Sequence, residues 1–221
     1  MIRVGGMTPL TSIDFPGRLA AVLYLQGCPW RCGYCHNPEL LPARGQGGVA
    51  WAQAEAFLHR RVGLLDAVVF SGGEPTSQAA LPDAIAQVKA MGYQVGLHTG
   101  GMYPARLRQL LPQLDWIGLD IKAPDAHYDA VTGRRDSARP VGEALEAVLA
   151  SGVAYECRTT WHPGLFPLPA LYGLAEDLFA RGVRHWALQE CRDEGRGLVA
   201  EATLDLQRLG AGFERFCFRR G

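Results

Sequence analysis

The chain has 221 residues, 48% hydrophobic and 20% charged, with Lys+Arg and Asp+Glu equal at 22 each. That length and balance fit one folded domain with a sizeable core and exclude a disordered chain. Zero net charge removes the electrostatic case for nucleic acid or an anionic membrane as main partner, and no apolar run approaches the ~18 residues of a membrane span.

In chain order, Met1 to Gly6 lacks the basic-then-apolar pattern of a secretory signal. Six cysteines without such a signal point to the reducing cytoplasm, where thiols serve metals or catalysis. Short apolar runs that read as buried strands follow at Leu19–Leu25, Ala67–Phe70, Gln94–Leu97, Trp116–Ile121, Val153–Thr160 and His185–Gln189. Segments of helical periodicity lie between them, at Trp51–Arg61, Ala80–Met91, Pro104–Leu111, Val141–Ala150 and Leu168–Arg181. Such alternation predicts parallel strands with crossover helices. Gly92, Gly152 and Gly182 each stand where a left-handed helix stop is wanted. About six β/α units in a chain shorter than the ~250 residues of a full eight-unit barrel predict an α/β fold, an incomplete (β/α)6 open barrel. No linker or charge run divides it, so residues 1–221 read as one domain.

Ligands in such folds bind at the C-terminal ends of strands, and that is where the unusual residues fall. Cys28-Pro29-Trp30-Arg31-Cys32-Gly33-Tyr34-Cys35 follows the first strand, with thiols spaced C-x3-C-x2-C. A [4Fe–4S] cube normally takes four Cys thiolates, so three would leave one iron open for chemistry. Zinc held by Cys28, Cys32, Cys35 and His36 is the plainer alternative, although adjacent Cys35 and His36 strain to reach one small ion. A disulfide is the third. Cys157, Cys191 and Cys217 lie more than a hundred residues on and read as small buried hydrophobes.

Ser71-Gly72-Gly73-Glu74-Pro75 follows the second strand. Gly72 and Gly73 allow close backbone approach to a ligand, and the Glu74 carboxylate suits an ammonium group or, more plainly, a helix start. His98-Thr99-Gly100-Gly101 follows the third strand. Asp120 and Lys122 share one face at the end of the fourth, and Arg158 ends the fifth. An edge salt bridge is the simpler reading of Asp120 and Lys122. Arg158 suits a carboxylate through its planar fork, or a structural ion pair.

The three-cysteine loop with Tyr34 before its last thiol, followed one unit later by Gly72-Gly73-Glu74-Pro75, resembles the radical S-adenosylmethionine (radical SAM) superfamily. With Asp14-Phe15-Pro16-Gly17, Cys35-His36-Asn37-Pro38 and Asp120-Ile121-Lys122, it resembles the glycyl-radical-enzyme activating proteins, most of all the anaerobic ribonucleoside-triphosphate reductase activating type, from Ser12 to Gly221. The resemblance implies an open barrel of the radical SAM type, with a [4Fe–4S] cluster on Cys28, Cys32 and Cys35 whose open iron chelates the methionyl part of SAM. It implies SAM contacts from Gly72, Gly73, Glu74, Thr99, Asp120, Lys122 and Arg158, with Tyr34, His36 and Asn37 near the adenine. It further implies catalytic roles for the three cysteines and Lys122, a flavodoxin- or ferredoxin-type reductant, and a 5′-deoxyadenosyl radical that takes hydrogen from a glycine of a partner such as anaerobic ribonucleotide reductase. His98 departs from the pattern, because relatives of this type place an aspartate there for a monovalent cation, and a neutral imidazole is a poor ligand for a hard ion. Two other classes fit the residues: a radical SAM enzyme for a small molecule or peptide, and an electron-transfer protein with Cys157 or Cys191 as fourth ligand.

Overall fold

Eight strands form one sheet in strict sequence order in the computed structural model, which describes residues 1–45, 48–191 and 204–220. β1 (Val4–Thr11) lies antiparallel against β2 (Ala20–Leu25). β3 (Ala67–Gly72), β4 (Gln94–Thr99), β5 (Trp116–Asp120), β6 (Ala154–Trp161), β7 (His185–Glu190) and β8 (Arg215–Arg219) then follow, all parallel. The crossovers carry α1 (Trp51–His59), α2 (Leu81–Ala90), α3 (Pro104–Leu110), α4 (Asp125–Thr132) with α5 (Ala138–Ser151), α6 (Leu168–Ala180) and α7 (Leu206–Gly210). Six β/α units are present, and β1 and β8 each pair on one side, so the barrel stays open.

The pattern of burial follows from strand geometry, in which alternate side chains face opposite sides. Leu23, Phe70, Leu97 and Ile117 stand in register on the helix-facing side and are all fully buried. Each such side chain contributes about 2 kcal/mol on burial. The concave side carries a smaller apolar floor of Ala20, Val22, Ala67 and Val69, capped by Phe15 and Trp116. Phe15 and Trp116 meet with ring centroids 5.7 Å apart, which ties the β1–β2 connection to the start of β5 and shows how strongly the sheet curls.

β1 and β8 are absent from the six predicted strands. β1 reads Val-Gly-Gly-Met-Thr-Pro-Leu-Thr, and its glycines and proline hide the strand signal; as an edge strand paired only with β2 it tolerates them. β8 alternates Arg-Phe-Cys-Phe-Arg in five residues, a half-buried edge rather than an apolar run. α4 is polar enough (Asp-Ala-His-Tyr-Asp) to escape periodicity, and α5 begins three residues before the predicted Val141. The predicted stop Gly152 adopts φ 73°, the left-handed conformation that ends α5. Gly221, the last residue of the resemblance, lies outside the described residues.

Candidate active site

A cavity opens at the C-terminal ends of β2 to β7. Its wall includes every residue the sequence singled out as a site residue: Cys28, Cys32, Cys35, Tyr34 and His36 from the loop after β2, Gly72 at the end of β3 with Gly73 and Glu74 just beyond it, Thr99 at the end of β4, Asp120 and Lys122 around the end of β5, and Arg158 on β6. The shared position is a consequence of topology, because parallel strands in sequence order deliver all their C-terminal loops to one rim.

The cysteine loop is pinned from three sides. Cys28 donates its amide to the Leu41 carbonyl at 3.1 Å, and Gly27 donates to Leu40 at 2.7 Å. Arg31 donates its amide to Thr132 at the end of α4 (2.8 Å) and folds its guanidinium back onto the carbonyls of Cys28 (2.6 Å) and Trp30 (2.8 Å). Trp30 is buried edge-on to Tyr128 of α4, with centroids 6.1 Å apart. All three thiols are free and partly buried. Burial pushes the Cys28 thiol up to about 11 and raises Cys32, in the second case against the pull of the Lys122 ammonium.

Gly73 donates to the Leu25 carbonyl and Glu74 to the Gly27 carbonyl, each at 2.9 Å, so the glycine turn lies directly against the start of the cysteine loop. A Cβ at Gly73 would overlap the Gly27 carbonyl, and one at Gly72, where φ is +108°, would overlap the Leu25 amide nitrogen, so both positions require glycine. Glu74 itself is buried and turned inward. Its Oε1 accepts from the Thr76 amide (2.9 Å), the Thr76 hydroxyl (2.5 Å) and the Thr99 hydroxyl (2.7 Å), and its Oε2 from the Gly100 amide (2.9 Å). Burial raises its proton affinity, opposed by those donors from Thr76, Thr99 and Gly100. The helix-start reading of Glu74 is therefore realised, since it caps the short 3-10 turn Pro75–Ser77 while also bolting β3 to β4.

Asp120 sits between two cations. Its Oδ1 accepts from Arg158 (Nη2 at 2.8 Å, Nε at 2.9 Å) and its Oδ2 from Lys122 at 3.3 Å. Burial works in the other direction, but Arg158 and Lys122 hold the Asp120 carboxyl down to about 2. The ammonium of Lys122 lies 5.7 Å from the Tyr34 ring and 5.9 Å from the Trp30 ring, within cation–π reach of both. Lys122 thus carries its charge into the cysteine loop. Tyr128, outside the predicted set, accepts the Lys122 amide at 3.1 Å and fixes the strand end.

His98 is buried in the concave face, with Nε2 2.9 Å from the Asp14 carbonyl and Nδ1 3.3 Å from the Ser71 hydroxyl. A carbonyl can only accept, so Nε2 carries the hydrogen and Nδ1 accepts from Ser71. Burial and the nearby Arg158 push the imidazole down to about 3, so it is neutral. It clamps the Asp14-Phe15-Pro16-Gly17 turn into the floor of the barrel.

Cys157 faces the helix layer in register with Leu119, away from the cavity, and neither Cys191 nor Cys217 lines it. Among the described residues no three His, Cys, Asp or Glu side chains converge as one small ion would require. A cube takes each thiolate on a different iron, and three thiols of one loop line this cavity. The donor set therefore fits a cluster with one open iron. Thr160, Gln189 and Met102 also line the wall. Gln189 was missed as a site residue, although its place at the end of a predicted strand marked the rim.

An open α/β barrel with three thiols, a glycine cradle and a compensated carboxylate at its rim defines a cluster-dependent enzyme site. Comparison with known proteins agrees. The family model described as the radical SAM superfamily matches residues 22–165, and the chain belongs to that superfamily. It is 31% identical over 170 residues to a protein of Methanocaldococcus jannaschii named as a glycyl-radical enzyme activating enzyme, covering 72% of this chain and 68% of that one. It is 31% identical over 159 residues to the pyruvate formate-lyase-activating enzyme of Clostridium pasteurianum, covering 69% and 66%. The PqqA peptide cyclase of Xanthomonas euvesicatoria is 32% identical over 157 residues, 66% of this chain and 41% of the cyclase. Streptococcus suis SuiB bound to its precursor peptide SuiA shares the fold, with a TM-score of 0.67 over 90% of this chain and 48% of SuiB at 13% identity. The chain spans about two thirds of the activating enzymes and less than half of the cyclase and of SuiB. Membership makes the protein an enzyme of radical chemistry and implies a [4Fe–4S] cluster and SAM. No described helix is long and apolar enough to cross a membrane.

Proposed function

We propose that this protein is an activase that generates a glycyl radical on a partner enzyme, with anaerobic ribonucleotide reductase as that partner. The observation carrying this reading is the likeness to two activating enzymes, each over about two thirds of its own length. Cys28, Cys32 and Cys35 would hold the cluster and leave one iron for the amino and carboxylate groups of SAM. Bound there and reduced by one electron, cluster and SAM would supply a 5′-deoxyadenosyl radical.

The chain's own residues position that chemistry. Gly72 and Gly73 let the backbone meet the SAM amino group, and Glu74 fixes the cradle by holding Thr99 and Gly100 in place. Lys122 and Arg158 together carry one more positive charge than Asp120 neutralises, and the excess suits the SAM carboxylate. Tyr34, His36 and Asn37 line the cavity and would lie near the adenine. A flavodoxin- or ferredoxin-type protein is the reductant. His98 is occupied by Asp14 and Ser71 and takes no cation.

The test is to mix reduced protein, SAM and a candidate reductase anaerobically and record the electron paramagnetic resonance spectrum. A glycyl-radical doublet that collapses on Cα deuteration, with deuterium recovered in 5′-deoxyadenosine, is the expected result. A modified metabolite formed at full rate without any partner would overturn it. The likeness to a peptide cyclase favours peptide modification as the second reading. It predicts a stable altered peptide and no persistent radical.

A further inference from the structure

The cysteine loop and the glycine cradle occupy the β2–β5 side of the cavity, leaving the β6–β7 wall. Two polar side chains on that wall, Thr160 and Gln189, are paired in register on adjacent strands and share the face of Arg158, since alternate strand residues face one way. Both are half-buried and line the cavity, and neither side chain has a hydrogen-bond partner among the described residues. Arg158 and Arg219, the charged groups beside the pair on this face, are each matched by a carboxylate. Arg158 is held by Asp120, and Arg219 of β8 by Glu156 at 2.8 Å. The wall thus presents neutral, unsatisfied hydrogen-bonding groups rather than free charge.

We infer that Thr160 and Gln189 are positioning residues that bind the peptide backbone of the substrate segment carrying the reacting glycine. This rests on the reading of the protein as an enzyme that abstracts hydrogen from a glycine. A carboxamide carries an acceptor oxygen beside N–H donors and so matches the C=O and N–H of a peptide group, and a hydroxyl can add either. Both side chains lack a partner among the described residues, and an apolar occupant would strip them of water without replacing its hydrogen bonds, so they favour an occupant that pairs with them. A reader of backbone alone places no demand on flanking side chains, and a glycine without Cβ allows the closest approach of Cα to the cavity.

The probe is N-acetyl-triglycine amide dideuterated at the central Cα, with dithionite as electron donor and SAM present. Deuterium passes as an atom from Cα to C5′ of the deoxyadenosyl radical, breaking one C–D bond and forming another, and leaves the unpaired electron on the glycine. The readout is the labelled fraction of 5′-deoxyadenosine against peptide concentration. At low peptide, Gln189→Leu and Thr160→Val should each lower that fraction about tenfold, the loss of one hydrogen bond. The loss should recover at saturating peptide, and Thr160→Ser, which keeps the hydroxyl, should track wild type. Variants whose iron content matches wild type and whose labelling curves superpose on it would overturn the inference. Wild-type protein that makes 5′-deoxyadenosine with no label would instead overturn the glycine reading, and the pair's role with it.

Discussion

Asp120 and Arg158 are register neighbours on β5 and β6, and the carboxylate holds the guanidinium at 2.8 Å across the ladder. Gly118, one pleat below, leaves the room this requires, because a Cβ there would meet the Arg158 guanidinium. Asp120 also reaches Lys122 at 3.3 Å, so one carboxylate serves both cations and the trio keeps one net positive charge beside the cysteine loop.

Asp120→Asn removes the anion between two cations while keeping its shape. A buried pair broken on one side costs roughly 3–5 kcal/mol, but the Asp120 side chain is 31% exposed, so screening brings the expected loss to about 2 kcal/mol. Urea denaturation of the metal-free protein measures it, and 5′-deoxyadenosine formation under dithionite should fall with it. Wild-type midpoint and rate together would show that the pair is idle.

Cys28→Ala, Cys32→Ala and Cys35→Ala should each abolish the cluster after anaerobic reconstitution. Replacing Cys157, Cys191 and Cys217 together should leave iron and sulfide near normal, because none of the three lines the cavity. Iron and sulfide analysis with Mössbauer spectra decides. Stoichiometric zinc with no uptake of a cluster contradicts the assignment.

Glu74→Gln tests the bolt between β3 and β4. Four donors converge on the carboxylate, and a carboxamide nitrogen would turn its own hydrogens toward one set of them. The expected loss is about 1–3 kcal/mol, the cost of leaving a buried donor unpaired, with SAM cleavage reduced because Thr99 and Gly100 shift. A thermal melt equal to wild type refutes the role.

His98 gives the stability a defined pH slope. Its folded proton affinity, at about 3, lies below the ordinary histidine value of 6.5. The unfolded chain therefore takes up a proton on acidification that the folded chain refuses. The His98 contribution is complete above about pH 6.5 and is lost as pH falls toward 3, at up to about 1.4 kcal/mol per pH unit. His98→Gln, which can still donate to the Asp14 carbonyl, should flatten the profile between pH 4 and 6.5. Denaturant midpoints over that range, unchanged in slope, would contradict it.

The site was legible because parallel strands in sequence order leave their C-terminal loops on one rim, so motifs more than a hundred residues apart in sequence, such as Cys28 and Arg158, share a cavity by topology alone. The partners of those residues were not legible. Glu74 reads in sequence as an ammonium partner or a helix start; the fold realises the helix start and adds donors from Thr99 and Gly100 that no local pattern shows. His98 looks like a gap in a cation site and is a clamp on Asp14 and Ser71. Hydrogen-bond pairing depends on distances across strands, and no periodicity carries those.

Residue order by itself determined the β/α alternation, the three-thiol loop and the glycine cradle, since local pattern and spacing set strand, helix and turn. Only the tertiary structure decided how the sheet ends and which wall remains for a substrate. The edge strands β1 and β8 bury too little apolar surface to announce themselves. Thr160 and Gln189 stand side by side only because β6 and β7 pair in that register.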